Sequence, residues 1–159
     1  MGWLFCYNKK MKEVVILVVL VGVLAVVWYF NRDAEPMMQN GSQFQIGEVE
    51  FDIKIADTKE GRVKGLSGRE KIGENEGLLF IFEKEGYWGI WMKDMNFPID
   101  IAWLDVQKKV LHIEHSVKPE TYPKIFYPPV PAWYVLETAA GIFEKNKIKV
   151  RDVLETKVR

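Results

Sequence analysis

Apolar and charged residues alternate strictly where the polar part of the chain begins. Val49, Phe51, Ile53 and Ile55 are apolar, and the residues between them are charged. A period of two is typical of a strand that buries one face. The pattern therefore predicts a strand over residues 49–55.

A short helix is predicted directly after this strand. Asp57 has the chemistry of an N-cap residue, and Glu60 three residues later completes a pattern similar to a capping box. Val63 and Leu66 would face the core, and Gly68 would end the helix. The strand and this helix are the first two elements of the predicted domain.

Five further runs are rich in aromatic and β-branched residues, which favours strands. They are residues 78–82, 87–92, 99–104, 110–115 and 133–137. Residues 105–109 have a suitable length to join two of these runs as an antiparallel hairpin. A second short helix capped by Thr138, which carries Ile142 and Phe143, and a closing strand over residues 148–154 complete the pattern. Many short strands with two short helices indicate an α+β, mostly β domain on a small curled or barrel-like antiparallel sheet.

An uninterrupted apolar run precedes this domain. Residues 14–30 carry no charge, and at 1.5 Å per residue they extend over roughly 25 Å, a suitable length for a membrane-spanning helix. Three lysines precede the run, whereas Arg32 is balanced by two acidic residues, so the positive-inside rule places residues 1–13 in the cytoplasm. The sequence predicts a single-pass protein of the cell membrane with one transmembrane helix and its globular domain outside.

A cleaved secretory signal is the alternative interpretation of this run. Signal sequences have an apolar core of about 7 to 15 residues that ends at a small-residue cleavage site. Ala25 is instead followed by Val26, Val27 and Trp28. This favours an anchor that is not cleaved.

A polar tether is predicted between the anchor and the domain. Residues 31–43 are polar and show no apolar period, as in linkers. They would connect the anchor to an extracytoplasmic domain of residues 44–159. The only cysteine, Cys6, precedes the anchor, so this domain must be held together by packing and not by a disulfide.

Charge and motifs exclude or disfavour several classes of function. The chain has 22 basic and 22 acidic residues and no basic run in the domain, so it lacks the electrostatic footprint of a nucleic-acid-binding protein. It has no phosphate-binding loop, nucleophile elbow or zinc-binding helix motif. His112 and His115 would point to opposite faces of one strand. No metal site or cofactor is therefore predicted, and a protein without enzymatic activity is favoured.

A proline-rich stretch is the first candidate for binding. Residues 118–131 contain five prolines interleaved with aromatic residues, a density that excludes regular elements. Long ordered loops in compact domains are often functional. Tyr122, Phe126 and Tyr127 are thus candidate binding residues, and a lid that seals one end of the barrel is an equally open interpretation.

The domain also resembles a known family. Five linked motifs carry the resemblance, after an arginine at position 62: Gly-Leu-Ser-Gly-Arg at 65–69, Gly-Leu-Leu-Phe-Ile-Phe at 77–82, Trp-Met-Lys-Asp-Met at 91–95, Pro-Ile-Asp-Ile at 98–101 and Tyr-Val-Leu-Glu at 134–137 with Gly141. Their order and spacing are similar to those of domain-of-unknown-function family 192, also called uncharacterised protein family 0127. Family members usually have Met at the positions of Ser67 and Leu78, and Asn-Thr in place of Asp94 and Met95. The resemblance implies a small, mostly β domain, often behind a signal or anchor, and no established reaction.

The charged residues within these motifs form a candidate polar site, which comprises Arg62, Arg69, Lys93, Asp100 and Glu137. Strands this apolar have little reason to hold charges unless the charges are paired or used. Arg62 and Arg69 are seven residues apart and would share a helix face, and Glu137 would lie where a strand becomes a helix. The cluster is interpreted either as a binding site or as an arginine–carboxylate network that fixes helix to sheet.

The favoured hypothesis is a binding or accessory module that engages a polar ligand, glycan or envelope partner through the proline-rich loop. The alternative is a hydrolase or lyase that uses Asp100 and Glu137 as paired carboxylates, with help from Arg69 or Lys93. A third hypothesis is a structural subunit of a membrane complex. In each case the lipid bilayer is the expected partner of residues 14–30.

Overall fold

The computed structural model describes residues 14–16, 19, 22 and 39–157. The described residues of the predicted membrane-spanning run are helical and exposed. No helix within the described part of the chain has both the length and the apolar character needed to cross a membrane. The predictions for residues 1–13, for the rest of 14–30 and for residues 31–38 of the tether lie outside the described residues.

Residues 39–157 form nine strands and two short helices. The strands are β1 (Gln39–Ile46), β2 (Val49–Ala56), β3 (Glu76–Gly86), β4 (Ile90–Trp91), β5 (Ile99–Leu104), β6 (Val110–Val117), β7 (Ile125–Phe126), β8 (Ala132–Ala139) and β9 (Leu154–Thr156). The helices are α1 (Lys59–Lys64) and α2 (Ile142–Lys145), with a 3-10 turn at Pro119–Thr121. Seven strands make one sheet in the order β6-β5-β8-β3-β2-β1-β9, and β4 and β7 form a separate ribbon. Strand β1 begins at Gln39, within the stretch predicted as a tether.

The large sheet curls until its two edges meet at one end. Lys109, just before edge strand β6, forms an antiparallel bridge with Val153, just before the opposite edge strand β9. The amide of Val110 also donates a hydrogen bond to the carbonyl of Asp152 at 2.8 Å. The mostly β, curled fold predicted from the sequence is confirmed.

One strand pair departs from the predicted antiparallel sheet. Strands β2 and β3 run parallel, with Ile53 opposite Gly77. Helix α1 and the loop after it carry the chain from the end of β2 back to the start of β3, and parallel neighbours need a crossover connection of this kind. The local pattern indicated both strands but not the direction in which they pair.

Helix α1 begins and ends at residues other than those predicted. Thr58 is the N-cap, and its hydroxyl oxygen accepts a hydrogen bond from the amide of Gly61 at 3.0 Å, so the predicted capping box of Asp57 is wrong. The helix ends at Lys64 with Gly65 as its C-cap, so the predicted end at Gly68 is wrong. Gly65 has φ 49° and ψ −133°, a conformation that glycine adopts far more readily than other residues.

The shorter helix changes which side chains face the core. Val63 was predicted to face inward but is 69% exposed. Gly61 is the buried residue of the helix, and Val63, two residues later, lies on the opposite side of it. Leu66 is buried as predicted, although it lies in the loop after the helix. Helix α1 therefore presents an exposed apolar side chain to solvent.

The other predicted elements differ mainly at their ends. The hairpin of β5 and β6 is confirmed. Thr138 does not cap a helix, because β8 stays paired with β5 as far as Ala139 and Gly141 takes the N-cap position of α2. The strand predicted over residues 87–92 is reduced to β4. The closing strand predicted over residues 148–154 is misplaced, because β9 spans Leu154–Thr156 and shares only Leu154 with it.

Both faces of the sheet are covered, so the domain has two cores. The core inside the curl contains Phe51, Leu136 and Phe143. The core on the outer face contains Phe80 and Trp103, and the loops around β4 and β7 cover it. Strand β5 is buried at every position for this reason. The outer core holds the candidate site.

Candidate functional site

Glu137 lies on the outer face of the sheet, two residues before the end of β8. Its neighbours on the flanking strands are Leu78 of β3 and Ile101 of β5, and both are fully buried. Only 5% of Glu137 is exposed. Burial removes most of the hydration of the carboxylate and raises the pKa of Glu137 from 4.5 to about 8, although the positive charge of Arg69 acts in the opposite direction. Glu137 therefore carries its proton at neutral pH and can donate a hydrogen bond.

A small cavity lies above Glu137. It has a volume of about 60 Å³ and is lined by residues of α1, the loop after α1, Phe80 of β3 and the residues around β4. Among the described residues that line this cavity, Glu137 supplies the only carboxyl group. The cavity is large enough for a group of two or three heavy atoms, such as a hydroxymethyl or a carboxylate.

Two larger grooves adjoin this cavity. One has a volume of about 400 Å³ and the other about 580 Å³, both within the range of small-molecule sites. Val63 and Trp91 line the cavity and both grooves, and they are 69% and 46% exposed. Helix α1 and strand β4 are thus two walls of one cleft, which we call the α1–β4 cleft and define as the cavity with its two grooves.

Hydrogen bonds between two loops hold the walls of the cleft together. They join the loop after α1 to the loop after β4. The Ser67 hydroxyl donates to the carbonyl of Lys93 at 2.8 Å, and the Gly68 amide donates to the carbonyl of Asp94 at 2.7 Å. In the other direction, the side-chain amide of Asn96 donates to the carbonyl of Arg69 at 2.8 Å. Asp94 has a positive φ of 56°, a conformation that Asn and Asp tolerate best among residues with a side chain. Two motifs that are separate in sequence therefore meet at this site.

Arg62 fixes α1 to the sheet. Its guanidinium donates hydrogen bonds to the carbonyls of Asp57 and Ile81, the latter at 2.8 Å. The same group lies 5.3 Å from the ring centroid of Phe82, within the range of a cation–π interaction. Arg62 thus lines the cavity mainly as a support of its wall.

Arg69 does not share a helix face with Arg62. Helix α1 ends at Lys64, so Arg69 lies in the following loop, and the predicted common face is wrong. Arg69 is half-buried and its charge acts on Glu137. Among the five predicted polar residues, the structure brings Arg69 to Glu137, places Arg62 at the cavity wall and places Lys93 at a groove.

Asp100 lies on the opposite face of the sheet from Glu137. Its carboxylate accepts hydrogen bonds from the backbone amides of Ser116 at 2.7 Å and Phe143 at 3.0 Å, inside the curl. Glu137 pairs with Ile101, and adjacent residues of a strand point to opposite faces. The predicted pair of Asp100 and Glu137 is therefore not formed, and Asp100 has a structural role.

The proline-rich loop contributes two exposed rings. Tyr122 is 45% exposed and Tyr127 is 54% exposed, whereas Phe126 is 7% exposed. Phe126 belongs to β7 and pairs with Ile90 of β4, so its ring packs in the outer core. The loop is therefore partly a cover of the core and partly a surface.

Trp91 joins the Tyr122 ring to the cleft. The Trp91 and Tyr122 rings meet edge to face with centroids 6.2 Å apart, and the ammonium of Lys93 lies 5.9 Å from the Trp91 centroid. We call Trp91, Tyr122 and Tyr127 the aromatic rim. Trp91 was not predicted as a binding residue. The available signal was the apolar residue on either side of it, Ile90 and Met92, because a period of two places Trp91 on the opposite face of the strand from both.

Comparison with known proteins supports the fold and leaves the chemistry open. The model of the DUF192 family, described as "Uncharacterized ACR", matches residues 42–156. A proposed transcription regulator from Sinorhizobium meliloti 1021 has a similar crystal structure, with a TM-score of 0.71, 21% sequence identity and coverage of 76% of this chain and 97% of that one. A protein of unknown function from Novosphingobium aromaticivorans DSM 12444 also has a similar crystal structure, with a TM-score of 0.67 and 25% sequence identity. The match covers 71% of this chain and 83% of that one. No curated protein matches the chain.

Proposed function

We propose that this chain, which belongs to the DUF192 family, has a globular domain that is a binding module for a glycan. The observation that carries the proposal is the α1–β4 cleft. In it the exposed indole of Trp91, which contacts the ring of Tyr122, borders two grooves of ligand size, and the buried, protonated carboxyl of Glu137 lies in the adjoining cavity. Apolar clefts with a few convergent polar groups and a perturbed pKa are the usual form of a ligand site.

The chemistry of a sugar ring fits this arrangement. A pyranose has a face of C–H groups and an edge of hydroxyls. The indole of Trp91 and the phenol of Tyr122 each combine a large apolar face with a polar atom. The protonated carboxyl of Glu137 can donate one hydrogen bond and accept another, which suits a hydroxyl-rich partner.

An enzymatic function with two carboxylates is not proposed. Inverting and retaining glycosidases need both carboxyl groups on the two sides of one bond, and Asp100 lies on the other face of the sheet. A structural subunit of a membrane complex stays a prediction.

The module is proposed to lie outside the cell membrane on a single-pass anchor formed by residues 14–30. The run of seventeen uncharged residues supports this proposal, as do the exposed apolar side chains of Val14, Val15, Ile16 and Val19. In intact cells, protease added outside should remove the globular domain. In membranes that have not been treated with protease, the full-length protein should stay in the membrane fraction after an alkaline carbonate wash. Full protection from the protease, or release by the wash, would contradict this topology.

Replacing Trp91 by alanine should weaken glycan binding at least tenfold. The substitution removes the exposed indole that lines the cavity and both grooves, and a tenfold loss corresponds to about 1.4 kcal/mol, a modest value for a stacked aromatic ring. An array of neutral, carboxylated and sulfated glycans identifies the ligand for the full-length protein in detergent, and calorimetry then measures affinity.

Tyr87→Ala is the matched control for this test. Tyr87 is 59% exposed and does not line the described cavity or grooves, so its loss should leave the affinity within twofold of wild type. If no glycan on the array binds, or if both variants lose affinity equally, the α1–β4 cleft is not a glycan site.

A further inference from the structure

The α1–β4 cleft has more positive than negative side chains along its walls, although the whole chain has equal numbers of each. Its cationic lining residues are Lys59, Arg62, Lys64, Lys84 and Lys93, and its acidic ones are Glu60, Glu83, Asp94 and Glu137. Glu137 is buried and holds its proton at neutral pH. Three carboxylates therefore oppose five cations in a cleft that already excludes part of the solvent, and such a surface favours an anionic ligand.

The cavity offers hydrogen-bond donors to a small group of a ligand. Glu137 contributes an acidic proton, and Lys64 lines the same cavity. The Lys64 ammonium lies close to Gly68, because a Cβ built on that glycine would be 3.6 Å from Nζ. A ligand carboxylate accepts hydrogen bonds only, so a neutral carboxyl and an ammonium are suitable partners for it. An ionised Glu137 would instead repel it.

We infer that the α1–β4 cleft binds an acidic glycan, with the carboxylate of a hexuronic acid residue in the cavity above Glu137 and its sugar ring against Trp91. This inference rests on the proposed function and narrows its ligand class. The lysines at the grooves then attract the anion, and Lys93, which lies over the indole ring, stays next to the bound sugar. The aromatic rim contributes ring contacts that do not depend on charge.

The charged groups that face Glu137 are few. Arg62, Lys64 and Arg69 belong to α1 and the loop after it. The neighbours on β3 and β5, Leu78 and Ile101, are apolar, as are the cavity residues of β4. Ionisation of Glu137, whose pKa is raised to about 8 by burial, is therefore expected to weaken acidic-glycan binding between pH 7 and 9.

Trigalacturonate and its methyl ester are the probes that test the inference. The two have the same rings and hydroxyls, but the ester lacks the negative charges. Calorimetry on the full-length protein at pH 6.5 and low salt should show at least tenfold tighter binding of the acid. Lys64→Gln and Lys93→Gln should each weaken binding of the acid three- to tenfold and weaken binding of the ester by a clearly smaller factor. Lys149→Gln, at an exposed site outside the lining of the cleft, should match wild type.

The acidic ligand and the glycan-binding function are contradicted by different results. Equal affinity for the acid and the ester, or binding of a neutral glycan alone on the array, would overturn the acidic ligand and leave the proposed glycan module standing. Absence of binding to every glycan on the array would overturn the proposed function itself. Glu137→Gln provides a further check, because its amide stays neutral: it should keep the affinity for trigalacturonate at pH 9, where wild type should lose at least tenfold. Equal affinities of the two proteins at pH 9 would contradict the placement of the carboxylate above Glu137.

Discussion

Asp100→Ala should lower the free energy of unfolding by about 4 kcal/mol, because one buried and one part-buried backbone amide lose a charged acceptor. The amides belong to Ser116 and Phe143, so the carboxylate joins β5 to the end of β6 and to the start of α2. Asp100 is fully buried, and water cannot easily replace it. Urea unfolding followed by circular dichroism measures the change.

Asp105→Ala is the matched control for this substitution. Asp105 also accepts two backbone hydrogen bonds, from Gln107 at 2.8 Å and Lys109 at 2.9 Å, but it lies in the more exposed turn of the same hairpin. Water can solvate the freed amides there, so the expected loss is about 1 kcal/mol. A loss at Asp100 as small as that at Asp105 would mean that burial of the carboxylate does not matter to the fold.

Raising the pH from 5 to 8 should destabilise the wild-type domain through Glu137. Burial raises its pKa from 4.5 to about 8, so between these values the folded state holds a proton that the unfolded state releases. The stability is fully present below pH 4.5 and is lost as the pH rises through 8. Each pH unit in this window removes about 1.4 kcal/mol, to an upper limit of about 5 kcal/mol.

Glu137→Gln should remove this slope. A glutamine does not titrate, so Glu137→Gln should be more stable than wild type at pH 8.5. Any remaining loss of its stability with pH would come from other titratable residues. Glu144→Gln, at an exposed position of α2, should keep the wild-type profile. Thermal unfolding of the three proteins from pH 4.5 to 9 measures the difference. Parallel profiles for wild type and Glu137→Gln would show that Glu137 is ionised in the folded protein.

The sequence predicted those parts of the fold in which one local pattern decides the outcome. The alternation that includes Phe51 and Ile53 predicted β2, because this strand buries one face. The hairpin of β5 and β6 was also predicted, since its short turn limits the pairing to antiparallel. The crossover through α1 was missed, because parallel pairing of β2 and β3 depends on residues that are distant in sequence.

The candidate site was predicted in part for the same reason. Glu137 and Asp100 were both recognised as unusual charges in apolar strands. Whether two such side chains share a face depends on the register of β8 against β5, which sets Ile101 opposite Glu137. A shift of one residue would reverse the result. No local pattern contains this register. The sequence could therefore indicate both carboxylates as candidates, but it could not show that Glu137 lies at the cleft and Asp100 on the opposite face of the sheet.

The seam of the curled sheet determines when the domain can fold. Strand β1 pairs with β9, Phe44 opposite Thr156, and the bridge from Lys109 to Val153 joins the other edge. Both sides of the seam therefore form only after β9 has been synthesised, and contacts this distant in sequence form slowly. We expect the sheet of a nascent chain to stay open until β9 has left the ribosome. We propose that this domain functions on the far side of a membrane. Late closure of the sheet would then keep the polypeptide unfolded while it crosses that membrane.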